Sequence, residues 1–574
     1  MSIVMMEGAA IFMPAWLKRL KAPLLFIGLH SLFSVYRLLP TVDASPAWSF
    51  AVPSGELILI FVLLSFNKTG RSSGSSPVKP GINSDILILL ITAMIAGITV
   101  FYSAGELFYR YFYYDHFHPL SDGRLLPGLF GMLVEKTGIN TALIPFLSWT
   151  VTAFVLLGAG FLVSLAVKKS IIHSTGKLFL YLRLSAGAAA LLIMLLLPVT
   201  SPLAQTVIDA KTIVISNRET GTENLSDTNE VPSESAGQAA VSTVPRTDEF
   251  TLPGIEDADI HVMVVESYGS TLYGRKEYKD ALLPLYEELE EVLRSDGWAL
   301  LSGLVRSPAF GGRSWLADAT LLTGEQIEDQ NAFENRLLRE DPARLLSFVE
   351  SAGYHRIYAA PGTSKTTDAW LQTYPFEEYL LRYDFNYEGP FLSFGAMSDQ
   401  YILNRVWRNY LREDRKDFVF YLLVSSHVPF ETIPEYKPDW DFSLNGREYE
   451  SGYLQYFDND WLSGNELAEG FLAGISYTLT TAVYYLTERL SQNELMLIIG
   501  DHQPRRPVSI PGSGYAVPFH LILPDSRIPE MPSSWEISNS FLPPDTPDDE
   551  NELPEMAVIP HLIERIATEV SKEH

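Results

Sequence analysis

The chain has no cysteine among its 574 residues. That absence removes disulfides, zinc–thiolate sites and thiol nucleophiles together, and it excludes no compartment. Basic residues are also few, with Asp plus Glu outnumbering Lys plus Arg by 69 to 42 for a formal charge of −27. No basic excess exists to neutralise phosphates, so a nucleic-acid partner is excluded as an expectation. Charge of either sign is scarce, at 19% against a hydrophobic share of 47%. Mean hydropathy is slightly positive, at +0.08, which is too apolar for an ordinary soluble acidic protein.

The apolar residues are concentrated before residue 200. Five windows nearly free of charge, Pro23 to Leu39, Trp48 to Phe66, Ile86 to Ala104, Ala142 to Val167 and Leu178 to Val199, have the length needed to cross a ~30 Å hydrocarbon core. They predict a transmembrane domain of five helices over 1–200. Lys18, Arg19 and Lys21 precede the first window, Lys68, Arg71 and Lys79 follow the second, and Lys168, Lys169 and Lys177 separate the fourth and fifth. These three segments belong on the cytoplasmic side, and five crossings then carry the C-terminal half outside. The first window lacks a small-residue cleavage site, so a cleaved signal peptide is not expected. Between windows three and four, the aromatic run that starts at Phe108 suits the outer membrane interface.

A polar stretch from Ser216 to Glu249, short of large apolar residues, reads as a flexible linker within 201–250. The remaining 251–574 is long enough for one large core. Short valine-rich or otherwise apolar runs at His261 to Glu266, Phe418 to Val424, Leu495 to Ile499, Phe519 to Leu523 and His355 to Ala359 alternate with helical patterns at Ala281 to Arg294, Ala343 to Ser351 and Phe471 to Leu490. Continuous apolar strands separated by helices predict an α/β domain with a mostly parallel sheet covered on both faces.

In such sheets ligands gather beyond the carboxyl ends of strands. Three predicted strands end in residues able to bind a metal or move a proton: Glu266, then Ser425-Ser426-His427, then Asp501-His502. Two carboxylates and an imidazole suit Mn²⁺, Mg²⁺ or Zn²⁺ and leave room for a further donor. A hydroxyl held by such an ion becomes a nucleophile near neutral pH. Ser314, after Gly311-Gly312-Arg313 and ahead of the helix formers Trp315 to Leu322, is a candidate for that hydroxyl. Taken alone it reads rather as a helix N-cap, with Asp318 as a first-turn acid. Thr320 and Thr323 are rivals placed less well, in the helix interior and at its end.

Val-Val-Glu-Ser-Tyr-Gly around Glu266, Gly-Gly-Arg-Ser at Gly311 to Ser314, Ser-Ser-His-Val-Pro-Phe at Ser425 to Phe430 and Gly-Asp-His-Gln-Pro at Gly500 to Pro504 occur in that order. This series resembles the sulfatase-like branch of the alkaline phosphatase superfamily, and within it the membrane-bound phosphoglycerol transferases of the lipoteichoic acid synthase type. The resemblance implies five membrane spans followed by an extracytoplasmic catalytic domain. It implies that Glu266, Ser314, Asp501 and His502 are metal ligands, that Ser314 is also the nucleophile, and that His427 contacts the substrate phosphate. Arg313 and Trp370 are further candidates for substrate binding. One divalent ion is expected, Mn²⁺ ahead of Mg²⁺ or Zn²⁺.

The family more often uses threonine as nucleophile. Its glycerol phosphate pocket has a Trp-x-Arg pattern that is missing from Pro361 to Trp370, where Lys365 and Trp370 are the nearest substitutes. Sulfate-ester hydrolysis is disfavoured because no C/S-x-P-x-R signature is present. Phosphoethanolamine transferases share the metal site, but their outer domains usually carry disulfides that this chain cannot form. The expected function is transfer of a phosphoglycerol-type group from a membrane phospholipid to a glycan or polymer acceptor through a covalent serine intermediate. The alternatives are a phosphoethanolamine transferase, a membrane-anchored phosphodiesterase or phosphatase, and a sensor or scaffold that keeps the fold without catalysis.

Overall fold

In the computed structural model the chain divides into two compact units, Met1–Ser226 and Asp227–His574. The structure describes residues 258–568, apart from short internal stretches, together with Ile95, Thr99, Tyr102, Ser103, Gly105, Glu106 and Tyr109 of the first unit. Those isolated positions are helical. Thr99 Oγ1 donates to the Ile95 carbonyl at 2.9 Å, and the Tyr102 hydroxyl donates to Glu106 at 2.8 Å. Otherwise the five apolar windows, the aromatic segment after window three and the polar linker lie outside the described residues. Among the described residues, no helix is long and apolar enough to cross a membrane.

Among its described residues the second unit has nine strands: β1 (Asp259–Val265), β2 (Trp298–Arg306), β3 (His355–Ala360), β4 (Glu378–Leu381), β5 (Asp417–Leu423), β6 (Thr432–Pro434), β7 (Leu454–Tyr456), β8 (Glu494–Gly500) and β9 (Ala516–Pro524). Seven of them form one sheet in the order β2-β9-β8-β1-β5-β3-β4. β8, β1, β5, β3 and β4 run parallel, and β9 is antiparallel to both β8 and β2. β6 and β7 pair separately.

The continuous apolar runs are explained by burial on both faces. Along β1, Ile260, Val262 and Val264 pack into one core layer, while Met263 and Val265 pack into the other. The first layer is closed by the helices Ser314–Thr323, Arg344–Ser351 and Ile559–Thr568, and the second by Lys276–Ser295, Asp399–Asn409 and Gly464–Arg489. A parallel sheet needs this cover, because its crossovers place helices on both faces.

The five expected strands are all present. β2, β4, β6 and β7 were not expected. β2 is apolar, but Ser302 and Gly303 interrupt its run. Gly303 is required by packing: a Cβ there would lie 2.7 Å from the Phe519 ring on β9.

Candidate functional site

β8, β1 and β5 are neighbours in the sheet, and Val265 stands in register with Gly500 on one side and Leu423 on the other. The residues that follow these strands therefore leave the sheet side by side. Glu266 follows β1, its N–H donating to the Leu423 carbonyl at 3.1 Å. Asp501 and His502 follow β8, and His427 lies four residues beyond β5.

Glu266, Asp501 and His502 each present a donor atom within 4.8 Å of the others. His502 Nε2 is 3.4 Å from Glu266 Oε1 and 3.3 Å from Asp501 Oδ2. Ser314 Oγ lies 3.1 Å from Glu266 Oε2 and 3.2 Å from His502 Nε2. The N-cap expected at Ser314 is Arg313 instead, and Ser314 is the first residue of its helix. Its hydroxyl faces the cluster. Asp318 is not a first-turn acid; it lies buried one turn further along. Thr323 Oγ1 donates to the Ala319 carbonyl at 2.7 Å, and Thr320 Oγ1 accepts from the Ile327 N–H at 3.0 Å. Both rival hydroxyls are buried and engaged locally, in the helix or in the segment that follows it.

The backbone is bent to make this approach. Gly311, Gly312 and Arg313 have φ values of 65°, 147° and 66° in succession. Arginine in the left-handed region is strained, and such strain persists only where the surroundings enforce it. Phe310 forms an isolated parallel bridge with Gln503, which brings the serine loop against the Asp501-His502 loop. Ser267, also left-handed at φ 61°, sends its N–H to Asp501 Oδ1 at 2.7 Å, and His502 N–H reaches the same oxygen at 2.6 Å. With Oδ1 engaged by two donors, Oδ2 turns toward the cluster.

The imidazole is oriented in a similar way. His502 Nδ1 lies 2.8 Å from the Gln503 carbonyl, and since a carbonyl only accepts, Nδ1 carries the proton. The Nε2 lone pair then faces Glu266, Asp501 and Ser314, the usual arrangement of a metal-binding histidine. Burial, above all, holds His502 below the ordinary histidine range and so keeps that lone pair free.

Burial alone would raise Glu266, but His427 and His502 beside it, with hydrogen bonds from Asp501 and Ser267, hold it below its ordinary value. Asp501 is pushed well above its ordinary value by burial and then by Glu266. Two carboxylates this close resist ionising together. A divalent cation would relieve that repulsion, so the donor set fits one. Burial and the nearby charge of Glu266 also raise Asp318 strongly.

Of the other expected residues, His427 is half-buried and close enough to act electrostatically on both Glu266 and His502. Its Nδ1 contacts the Val428 carbonyl. Arg313 is buried, and its guanidinium is near enough to help depress His502. Trp370 sits in an aromatic group, 4.3 Å from the Tyr374 ring and 6.0 Å from that of Tyr358. Lys365 lies outside the described residues. His520, a weak candidate for a second metal, accepts or donates at both nitrogens, to Ser302 Oγ at 2.7 Å and the Tyr268 hydroxyl at 2.8 Å. It is a packed core residue.

Sequence reading missed the scaffold of the site. Gln503 Nε2 donates to Ser270 Oγ and to the Ala516 carbonyl, both at 2.7 Å, and its Oε1 accepts from Thr271 N–H at 3.1 Å. Ser426 Oγ donates to the Glu266 carbonyl at 2.6 Å. Buried Asp399 accepts from the N–H groups of Val424 and Ser425 at 2.9 and 3.2 Å. Gln503 and Ser426 belong to the Asp-His-Gln and Ser-Ser-His motifs but drew no supporting role from them, and Asp399, far from both in sequence, carried no signal.

Solved structures similar to this chain include a protein in the alkaline phosphatase superfamily from Vibrio parahaemolyticus, at 14% identity over 55% of this chain and 69% of that one with a TM-score of 0.31. The lipoteichoic acid synthase LtaP from Listeria monocytogenes matches at 13% identity over 48% and 70%, TM-score 0.32. The integral membrane lipooligosaccharide phosphoethanolamine transferase A from Neisseria meningitidis matches at 14% identity over 89% and 88%, TM-score 0.42. No protein-family model matches the chain. No curated protein matches it either.

Proposed function

We propose that this protein is a metal-dependent phosphotransferase that moves a phosphoglycerol-type group from a membrane phospholipid, such as phosphatidylglycerol, to a glycan or polymer hydroxyl. The observation that carries the reading is the convergence of one serine hydroxyl with two carboxylates and an imidazole, with Ser314 Oγ 3.1 Å from Glu266 and 3.2 Å from His502. Glu266, Asp501, His502 and Ser314 would hold one divalent ion, Mn²⁺ ahead of Mg²⁺ or Zn²⁺. Such an ion supplies positive charge that lowers the hydroxyl pKa and offsets charge on the phosphoryl oxygens.

The chain's own residues divide the remaining work. Ser314 Oγ bonds to the donor phosphorus as the bond from phosphorus to the diacylglycerol oxygen breaks. The serine proton ends on the departing diacylglycerol oxygen; the acceptor hydroxyl then bonds to the same phosphorus and its proton passes to Ser314 Oγ, which leaves. His427 and Arg313, both near enough to act electrostatically on the cluster, would bind phosphate oxygens as charge develops there. Trp370, whose ring packs on Tyr374 and Tyr358, is assigned to the head group on the family resemblance alone. We assign residues 1–200 to five membrane helices, 201–250 to a linker and 251–574 to the catalytic domain, on the outer side of the cytoplasmic membrane. Five spans suit a donor that never leaves the bilayer.

The test is labelled phosphatidylglycerol in vesicles with the full chain, with and without a glycan acceptor. The proposal expects label on the acceptor and none with Ser314→Ala. Release of free glycerol phosphate at a rate unaffected by acceptor would identify a hydrolase instead.

A further inference from the structure

The carboxyl ends of β1 and β8 carry Glu266 and Asp501-His502, and the opposite ends of the same strands carry a second group. Asp259 opens β1 and stands in register with Glu494, which opens β8. His261, two residues along β1, projects to the same face as Asp259. One donor atom from each of Asp259, His261 and Glu494 lies within 4.8 Å of the others. At ~3.3 Å of rise per residue, His261 and Glu266 are roughly 16 Å apart along the strand.

Each of the three side chains is held from behind. The N–H of Asp417 donates to Asp259 Oδ1 at 2.6 Å. The N–H of Ser491 donates to Glu494 Oε1 at 3.1 Å, and its hydroxyl donates to the same oxygen at 2.5 Å. His261 Nδ1 is 3.3 Å from the Tyr421 hydroxyl, which can accept as well as donate, and a bound ion would select the tautomer with the proton on Nδ1 and leave Nε2 for the metal.

Two atoms remain without a hydrogen bond, His261 Nε2 and Glu494 Oε2. His261 is fully buried and Glu494 is 3% exposed. They lie 3.4 Å apart, about the edge of a tetrahedron built on 2.0–2.1 Å metal bonds. Unsatisfied polar atoms this deep are costly, and a common reason for one is an ion that completes the site. The local charge also favours a cation. Arg415 pairs with the neighbouring Asp417 at 2.8 Å, whereas Asp259 and Glu494 have only His261 between them.

We propose that Asp259, His261 and Glu494 form a second, structural site for a divalent cation of the zinc class, with water as the remaining ligand. It ties the amino ends of β1 and β8, the two strands whose other ends carry Glu266, Asp501 and His502. A bound ion there stabilises the sheet without touching substrate.

The test uses the full chain, stripped by chelation and titrated with Zn²⁺, with bound metal measured by elemental analysis and unfolding followed thermally. Asp501→Asn combined with His502→Gln removes the first site and leaves the second intact. This double variant is expected to retain about one zinc per chain and to gain a few degrees in Tm when zinc is added. Adding His261→Gln to it should abolish both effects. Glu494→Gln in the same background gives the same reading should the first combination fail to fold. A double variant that binds no zinc, or zinc that persists through both further substitutions, overturns the proposal.

Discussion

The carbonyl of Gln503 accepts the N–H of Gly311 at 3.1 Å and lies 2.8 Å from Nδ1 of His502. One backbone oxygen thus sets both the position of the serine loop and the orientation of the imidazole. The Gln503 side chain anchors that oxygen through Ser270, Thr271 and Ala516.

Gln503→Ala therefore loosens two parts of the site together. The carbonyl that orients His502 remains but loses its anchor, so metal affinity is expected to fall toward the low end of the roughly 10- to 100-fold usual when a partner of a ligating histidine is removed. Turnover measured at saturating metal should remain below wild type, because the serine loop is displaced as well. Titration of the metal-free variant with Mn²⁺, paired with kcat at saturation, separates the two effects.

Gly500 closes β8 beneath the cluster, and a Cβ there would lie 1.8 Å from the Tyr268 carbonyl. Gly500→Ala must push two adjacent strand ends apart. The expected loss is roughly 3 kcal/mol or more of stability, readable by denaturant unfolding, with metal affinity falling in parallel.

His520 supplies a pH dependence. Burial lowers it from 6.5 to about 3, so below pH 6.5 the unfolded chain takes up a proton that the folded chain refuses. The stability contributed by this residue is complete above pH 6.5 and is lost as pH falls toward 3, by about 1.4 kcal/mol per pH unit at most. In His520→Gln that acid limb should flatten. The difference in unfolding free energy between wild type and variant should therefore shrink steadily from pH 7 to pH 4.

Much of this arrangement was legible in the sequence because burial leaves a pattern. β1, β5 and β8 are buried on both faces and read as unbroken apolar runs, and the polar residues just past them marked the open edge. β2 was hidden because Gly303, required by the Phe519 ring, looks like a strand breaker. Ser314 was ambiguous because a serine before a helix is usually a cap. What decided its orientation was the left-handed turn at Gly311, Gly312 and Arg313 and the bridge from Phe310 to Gln503, contacts between segments far apart in sequence. Trp370 carried a family expectation that local pattern could not test, and its ring packs on Tyr374 and Tyr358.

The central claim is that Ser314 becomes covalently loaded. The direct measurement is mass spectrometry of the peptide containing Ser314 after the metal-loaded protein is mixed with phosphatidylglycerol vesicles and quenched in acid without acceptor. The account predicts a phosphoglycerol adduct on Ser314 that vanishes on addition of acceptor and is absent from Ser314→Ala. Sustained turnover with Ser314 unmodified, or an adduct on Thr320 or Thr323, would contradict it.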